Sequence, residues 1–138
     1  MQGRLSKIVD NKIQSFPWET WEEEFQLAKS ININLMEWTL DYKDLKNNPL
    51  IDKSKKAKIE KLSLKNNIEI KSLTGDCFMQ FPFWKYKGKH QYKLKKVFDL
   101  VLDSCVSNKL EIIVLPLVDN GSIQSSLQEK RLVDYLIS

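Results

Sequence analysis

Apolar residues along the chain fall into two spacings, one strand-like and one helical. Leu35, Met36, Trp38 and Leu40 form a short apolar run closed by Asp41-Tyr42-Lys43-Asp44. A short apolar run bounded by polar residues predicts a buried strand over 34–40. Glu37 lies inside it, where a carboxylate needs a partner, a ligand or a water-filled cavity. Pairing with a Lys or Arg, or pointing to solvent, is the structural alternative. Upstream, Met1 to Leu5 is read as the end of a strand, Asp10-Asn11-Lys12 as a turn and Ile13 to Phe16 as a connector. Trp18, Trp21, Phe25 and Ala28 then keep helical spacing, predicting a helix from about Trp18 to Ser30 with one apolar face. Pro17 suits a first helical turn, Ser15 is a candidate cap, and the acidic run Glu19 to Glu24 suits a helix start.

After a polar loop over 41–50, a second helix is predicted from Lys53 to Lys65, with Ala57, Ile59, Leu62 and Leu64 inward and Asn66-Asn67 ending it. The next strand, 68–74, places Ile68, Ile70 and Ser72 on one face and Glu69, Lys71 and Leu73 on the other. Gly75-Asp76 opens a long loop reaching about His90. Leu94, Val97, Phe98, Val101, Leu102 and Cys105 mark a third helix that Asn108 ends. The β-branched run 110–118 predicts a strand buried on both faces, with Pro116 where a ladder can end. Asp119-Asn120-Gly121-Ser122 reads as a turn before a fourth helix from about Ile123 or Ser125 to Ile137. Strands and helices thus alternate four times, the order of a parallel sheet with right-handed crossovers. An open doubly wound sheet and part of a (β/α)8 barrel both fit.

Composition narrows this little. The chain has 138 residues, 42% of them hydrophobic, with 4 Gly and 4 Pro. That is enough for one packed domain and unlike a disordered or fibrous chain. A net charge of +4 permits an anionic ligand without demanding nucleic acid. Cys77 and Cys105 have no metal-ligand spacing and suit reduced thiols of a cytoplasmic protein. No apolar run is long enough to span a bilayer, and the N-terminus lacks the apolar segment of a signal peptide.

In parallel α/β folds, ligands bind at the carboxyl ends of the strands. Arg4, Glu37, Asp76 and Asp119-Asn120 fall at four such ends. Arg4 would fork an anionic group, while carboxylates and Asn120 would hold hydroxyls or move a proton beside a carbonyl. Taken one by one, each is an ordinary loop residue or cap. His90, alone among histidines, lies among Lys85, Lys87, Lys89, Lys93, Lys95 and Lys96 with Trp84, Tyr86 and Tyr92 interleaved. A solvated loop and helix face accounts for that cluster first, with contact to a phosphate backbone as the alternative. Glycine-rich phosphate loops and Gly-x-Ser-x-Gly elbows are absent. Cys77 reads as an inert, partly buried thiol.

Met1-Gln2-Gly3-Arg4-Leu5-Ser6, Ile13-Gln14-Ser15-Phe16-Pro17-Trp18 and Trp21-Glu22-Glu23-Glu24-Phe25 resemble the sugar-phosphate isomerase/epimerase family, which has the xylose isomerase-like TIM barrel. So do Met36-Glu37-Trp38, the stretch 72–79 and Val114 to Asn120. The resemblance covers nearly the whole chain. It implies that residues 1–138 are a single partial domain, a parallel (β/α)4 half of such a barrel. It also implies Glu37 and Asp76 in catalysis, Gln2, Arg4, Asp119 and Asn120 in substrate binding, and a sugar or sugar phosphate as partner. A divalent metal, Mn²⁺ or Mg²⁺, is implied for the full-length family, with its ligands mostly on later strands. No metal ligand is therefore expected here, and a truncated chain inactive by itself is. A homodimer closing eight strands would cover the open edges. Related barrels include endonucleases acting at abasic DNA sites, although the lack of histidine ligands in this half argues against that reading. A non-catalytic α/β binding module is the other alternative.

Overall fold

The computed structural model describes residues 5–7 and 15–138. Three parallel strands, β1 (Leu35–Thr39), β2 (Glu69–Thr74) and β3 (Ile112–Val114), form one sheet in sequence order. Five helices are described: α1 (Glu23–Ser30), α2 (Lys56–Asn66), α3 (Asp76–Gln80), α4 (Gly88–Ser107) and α5 (Ser126–Leu136). The class is α/β, and the strand-crossover-strand order matches the expected alternation. The strand expected over 1–5 and the turn and connector up to residue 14 lie outside the described residues, save Leu5, which is in a bend.

One face of the sheet carries the core. Trp38 pairs in register with Leu73, and Leu73 with Ile113; the first two are fully buried. Trp21 packs edge-on against Trp38 with ring centroids 5.9 Å apart, and Phe16 lies 5.4 Å from the same ring. The indole N–H of Trp38 donates to Asn48 Oδ1 at 2.9 Å, which also accepts from Leu50 N–H. A second aromatic cluster, Phe78, Phe83, Phe98 and Tyr135, joins α3, α4 and α5. Burying rings of this size dominates core energetics.

The other face is partly exposed among the described residues. Glu37 pairs with Ser72 and Ser72 with Ile112; Thr74 pairs with Val114. Leu35 and Ile112 are each 56% exposed and Val114 41%. The expectation of a third strand buried on both faces is therefore corrected: the pleat sends alternate side chains to a face that no described helix covers. The ladder is also shorter than the β-branched run: it spans Ile112–Val114 and ends two residues before Pro116, which has no N–H to donate.

Helix boundaries moved where local chemistry overrode periodicity. Residues 18–22 form successive turns, Thr20 N–H to Pro17 C=O and Glu23 N–H to Thr20 C=O, so α1 starts at Glu23 and Trp18 stays exposed. Ser15 caps nothing in it. In α2, Ile59 is buried and Leu62 half-buried, but Ala57 and Leu64 face solvent. Asn67 closes that helix in the left-handed conformation, φ 55°, with Ile68 N–H donating back to Ser63 C=O. The loop expected over 75–90 instead contains α3, a 3-10 turn at Phe83–Lys85 and the first turn of α4. Ser125 caps α5 by accepting from Gln128 N–H.

Candidate functional site

The carboxyl ends of β1 and β2 bring acidic side chains together. Both oxygens of Glu37 accept hydroxyl hydrogen bonds from the neighbouring strand, one from Ser72 at 2.8 Å and one from Thr74. Between the Met36–Ile70 and Glu37–Ser72 pairs β2 carries one extra residue, Lys71, and this irregularity sets the register. Such bulges re-aim side chains near sites. The Glu37 side chain is exposed, so of the readings open to it the carboxylate takes hydroxyl partners on the exposed side of the sheet and not a place in the core.

Asp76 follows β2 directly as the first residue of α3 and is buried. Burial first, then the negative charges of Asp41 and Glu37, raises its carboxyl from 3.8 to about 6. A carboxyl titrating there exchanges protons readily near neutrality. Gly75, just before it, has no room for a side chain: a Cβ would come within 2.4 Å of the Phe78 ring. Its N–H donates to Val114 C=O at 3.0 Å, tying the start of α3 to β3.

Asp41 and Gln80 complete the rim, and neither stood out in the sequence. Gln80 Nε2 donates to Asp41 Oδ1 at 2.9 Å, while Gln80 Oε1 accepts from Tyr42 N–H at 2.8 Å. Phe16 N–H donates to the other Asp41 oxygen at 3.2 Å. Tyr42 stacks at a tilt on Phe81, centroids 4.1 Å apart. Asp41 had the look of a residue that merely ends an apolar run, and Gln80 fell in a stretch read as loop. The signal for α3 was the compact run Cys77-Phe78-Met79 between Gly75 and Pro82.

Asn120 reaches this rim indirectly: its amide donates to Gln80 C=O at 2.9 Å. Gly121 makes that approach feasible, buried against Met79 Cα and Pro116 C=O. Asp119 is exposed, with φ 47° and its backbone carbonyl accepting from Ser122 Oγ; no described hydrogen bond or ion pair joins its carboxylate to the rim. Gln2 and Arg4 lie outside the described residues. Among the described residues no group of three His, Cys, Asp or Glu side chains could hold a metal ion. Burial raises the Cys77 thiol far above its ordinary value, with the Asp76 charge adding to it, so the thiol is inert. A groove of about 600 Å³ opens at the opposite end of the sheet, bordered by Ile59, Glu69, Lys71 and Lys109. Lys71 there is already held between Glu111 at 2.6 Å and Glu69 at 3.7 Å.

Sheet and rim together define an α/β protein with parallel strands whose acidic groups gather at the carboxyl ends. No protein-family model matches the chain, and no curated protein matches it. No described helix is long and apolar enough to cross a membrane.

Proposed function

We propose that this chain supplies the β1–β2 rim of a sugar or sugar-phosphate isomerase/epimerase site within a xylose isomerase-like (β/α) barrel. The observation that supports the reading is the gathering of Asp76, Asp41 and Glu37 at adjacent parallel strand ends, where burial and then the charges of Asp41 and Glu37 raise the Asp76 carboxyl. The partly exposed sheet face supports it, since further strands curling past β3 would enclose that face as a barrel interior.

In this reading Asp76 moves a proton at the carbon beside a substrate carbonyl. Its raised carboxyl lets it take that proton and return it near neutral pH. Glu37, oriented by Ser72 and Thr74, accepts hydrogen bonds from substrate hydroxyls. Asn120 and Asp119 border the site from the β3 side, and Gln2 and Arg4 would bind the anionic end. The Mn²⁺ or Mg²⁺ that the resemblance implies finds no three-ligand set among the described residues, and the proton step is assigned to Asp76 without it.

Deuterium incorporation from D₂O into a panel of aldose and ketose phosphates, with and without Mn²⁺, tests this. The chain extended by four further strand-helix units is expected to exchange the proton beside the carbonyl, and Glu37→Gln or Asp76→Asn to slow it by about 10²-fold or more. Exchange that is absent from the extended protein, or unaffected by both substitutions, overturns the reading.

A further inference from the structure

We propose that the amino-terminal half of α4 is a docking surface for single-stranded nucleic acid. From Cys77 to Phe98 the chain holds six lysines and His90 with no Asp or Glu, more positive charge than the whole chain's net +4. The fold gathers part of that charge on one side. Lys89, Lys93 and Lys96 follow i, i+4, i+7 spacing along α4 and share a helix face, while Leu94, Phe98 and Val101 fix the opposite side in the core.

Among the described residues Lys87, Lys89 and Lys93 form no ion pair; Lys96 alone in this stripe has one, with Asp99 at 3.3 Å. Like charges at this spacing repel. The helix also begins at Gly88 with no acidic residue in its first turn and no side-chain cap, so its dipole adds positive potential at the same end. An anionic partner relieves both.

Aromatic groups decide which anion. Tyr92 is 63% exposed, and Lys96 Nζ lies 5.7 Å from its ring centroid. His90 stacks on Tyr86 with centroids 4.4 Å and planes 8° apart. Flat rings among lysines, most of them without an ion pair among the described residues, match a single strand, whose bases stack while its phosphates meet ammonium groups. Acidic peptides offer no bases to stack. Nor do lipid headgroups.

Fluorescence anisotropy with a labelled oligothymidine tests this on the full chain. Four lysine-phosphate contacts predict a slope of log K against log salt of about −3, and Lys89→Gln/Lys93→Gln reduces its magnitude by about 1.4. Tyr92→Ala weakens binding at least about fivefold with the slope unchanged. All three positions are exposed, and circular dichroism melting checks that the variants stay folded. Binding unchanged in the double variant overturns the proposal. So does equal binding of phosphatidylserine vesicles or polyglutamate that Tyr92→Ala leaves intact, because the surface then reads charge alone.

Discussion

The hydroxyl of Thr74 donates to the carboxylate of Glu37 across the β1–β2 ladder. Ser72 donates to the second oxygen, so two β2 hydroxyls help to orient the carboxylate. Thr74→Val keeps the shape of the side chain and removes one donor. It is expected to cost about 1–2 kcal/mol, the range of a hydrogen bond to a charged group at a partly exposed site. The shift in urea midpoint at constant m-value measures it.

Asp76 makes stability depend on pH. Its carboxyl titrates at about 6 in the folded chain against 3.8 otherwise. Between those values the folded chain keeps a proton that the unfolded chain has released. Stability from this group is thus greatest below about pH 4 and is lost as pH rises through 6, by about 3 kcal/mol. Asp76→Asn removes that loss. At pH 8 the variant should be more stable than the parent by about 2–3 kcal/mol, and near pH 3 the two should melt together. Paired thermal melts across this range check the sign.

Gly121→Ala should loosen the contact that carries Asn120 to Gln80. The added Cβ would sit 2.5 Å from Pro116 C=O and 3.1 Å from Met79 Cα. Both are backbone atoms and neither can rotate away. A loss of about 1–3 kcal/mol is expected, readable by chemical denaturation, with amide exchange rising first in α3 and in Asp119–Gly121.

Cys77 and Cys105 are free and buried. Burial pushes the Cys105 thiol up to about 11 and the Cys77 thiol further. Neither should react with a thiol-disulfide reagent at pH 7.5 in the native chain, and both should react at once in denaturant. A native rate above the global unfolding rate for Cys77 would mean that α3 opens locally.

Much of the architecture was legible in residue order. The Glu37 strand, the alternation of strands with helices, the Asn108 and Ser125 helix ends and the apolar stripe of α4 all follow from periodicity and capping chemistry. Strict alternation in β2 places Ile70 with Ser72 and opposite Leu73, and the register shift after the Met36–Ile70 pair breaks it: Ile70 pairs with Met36 and Leu73 with Trp38, both against the core, while Ser72 pairs with Glu37. Short-range patterns failed where a neighbour far along the chain decided. The Trp18–Trp21 spacing suits a helix, yet Pro17 and Thr20 carbonyls close separate turns, and Trp21 finds Trp38 without one. The turn of helix at Asp76–Gln80 is too short for a periodic signature and is held by Leu40 C=O, which accepts from Cys77 N–H at 2.8 Å.

The sequence by itself determined the parallel α/β order and pointed to Glu37, Asp76 and Asn120, because strand and helix periods are local and strand ends follow from them. Tertiary structure alone decided that Asp41 and Gln80 join Glu37 and Asp76 at the rim, and that Asp76 holds its proton to about pH 6. Burial and the proximity of like charges depend on which surfaces meet in space, and no spacing along the chain encodes that distance.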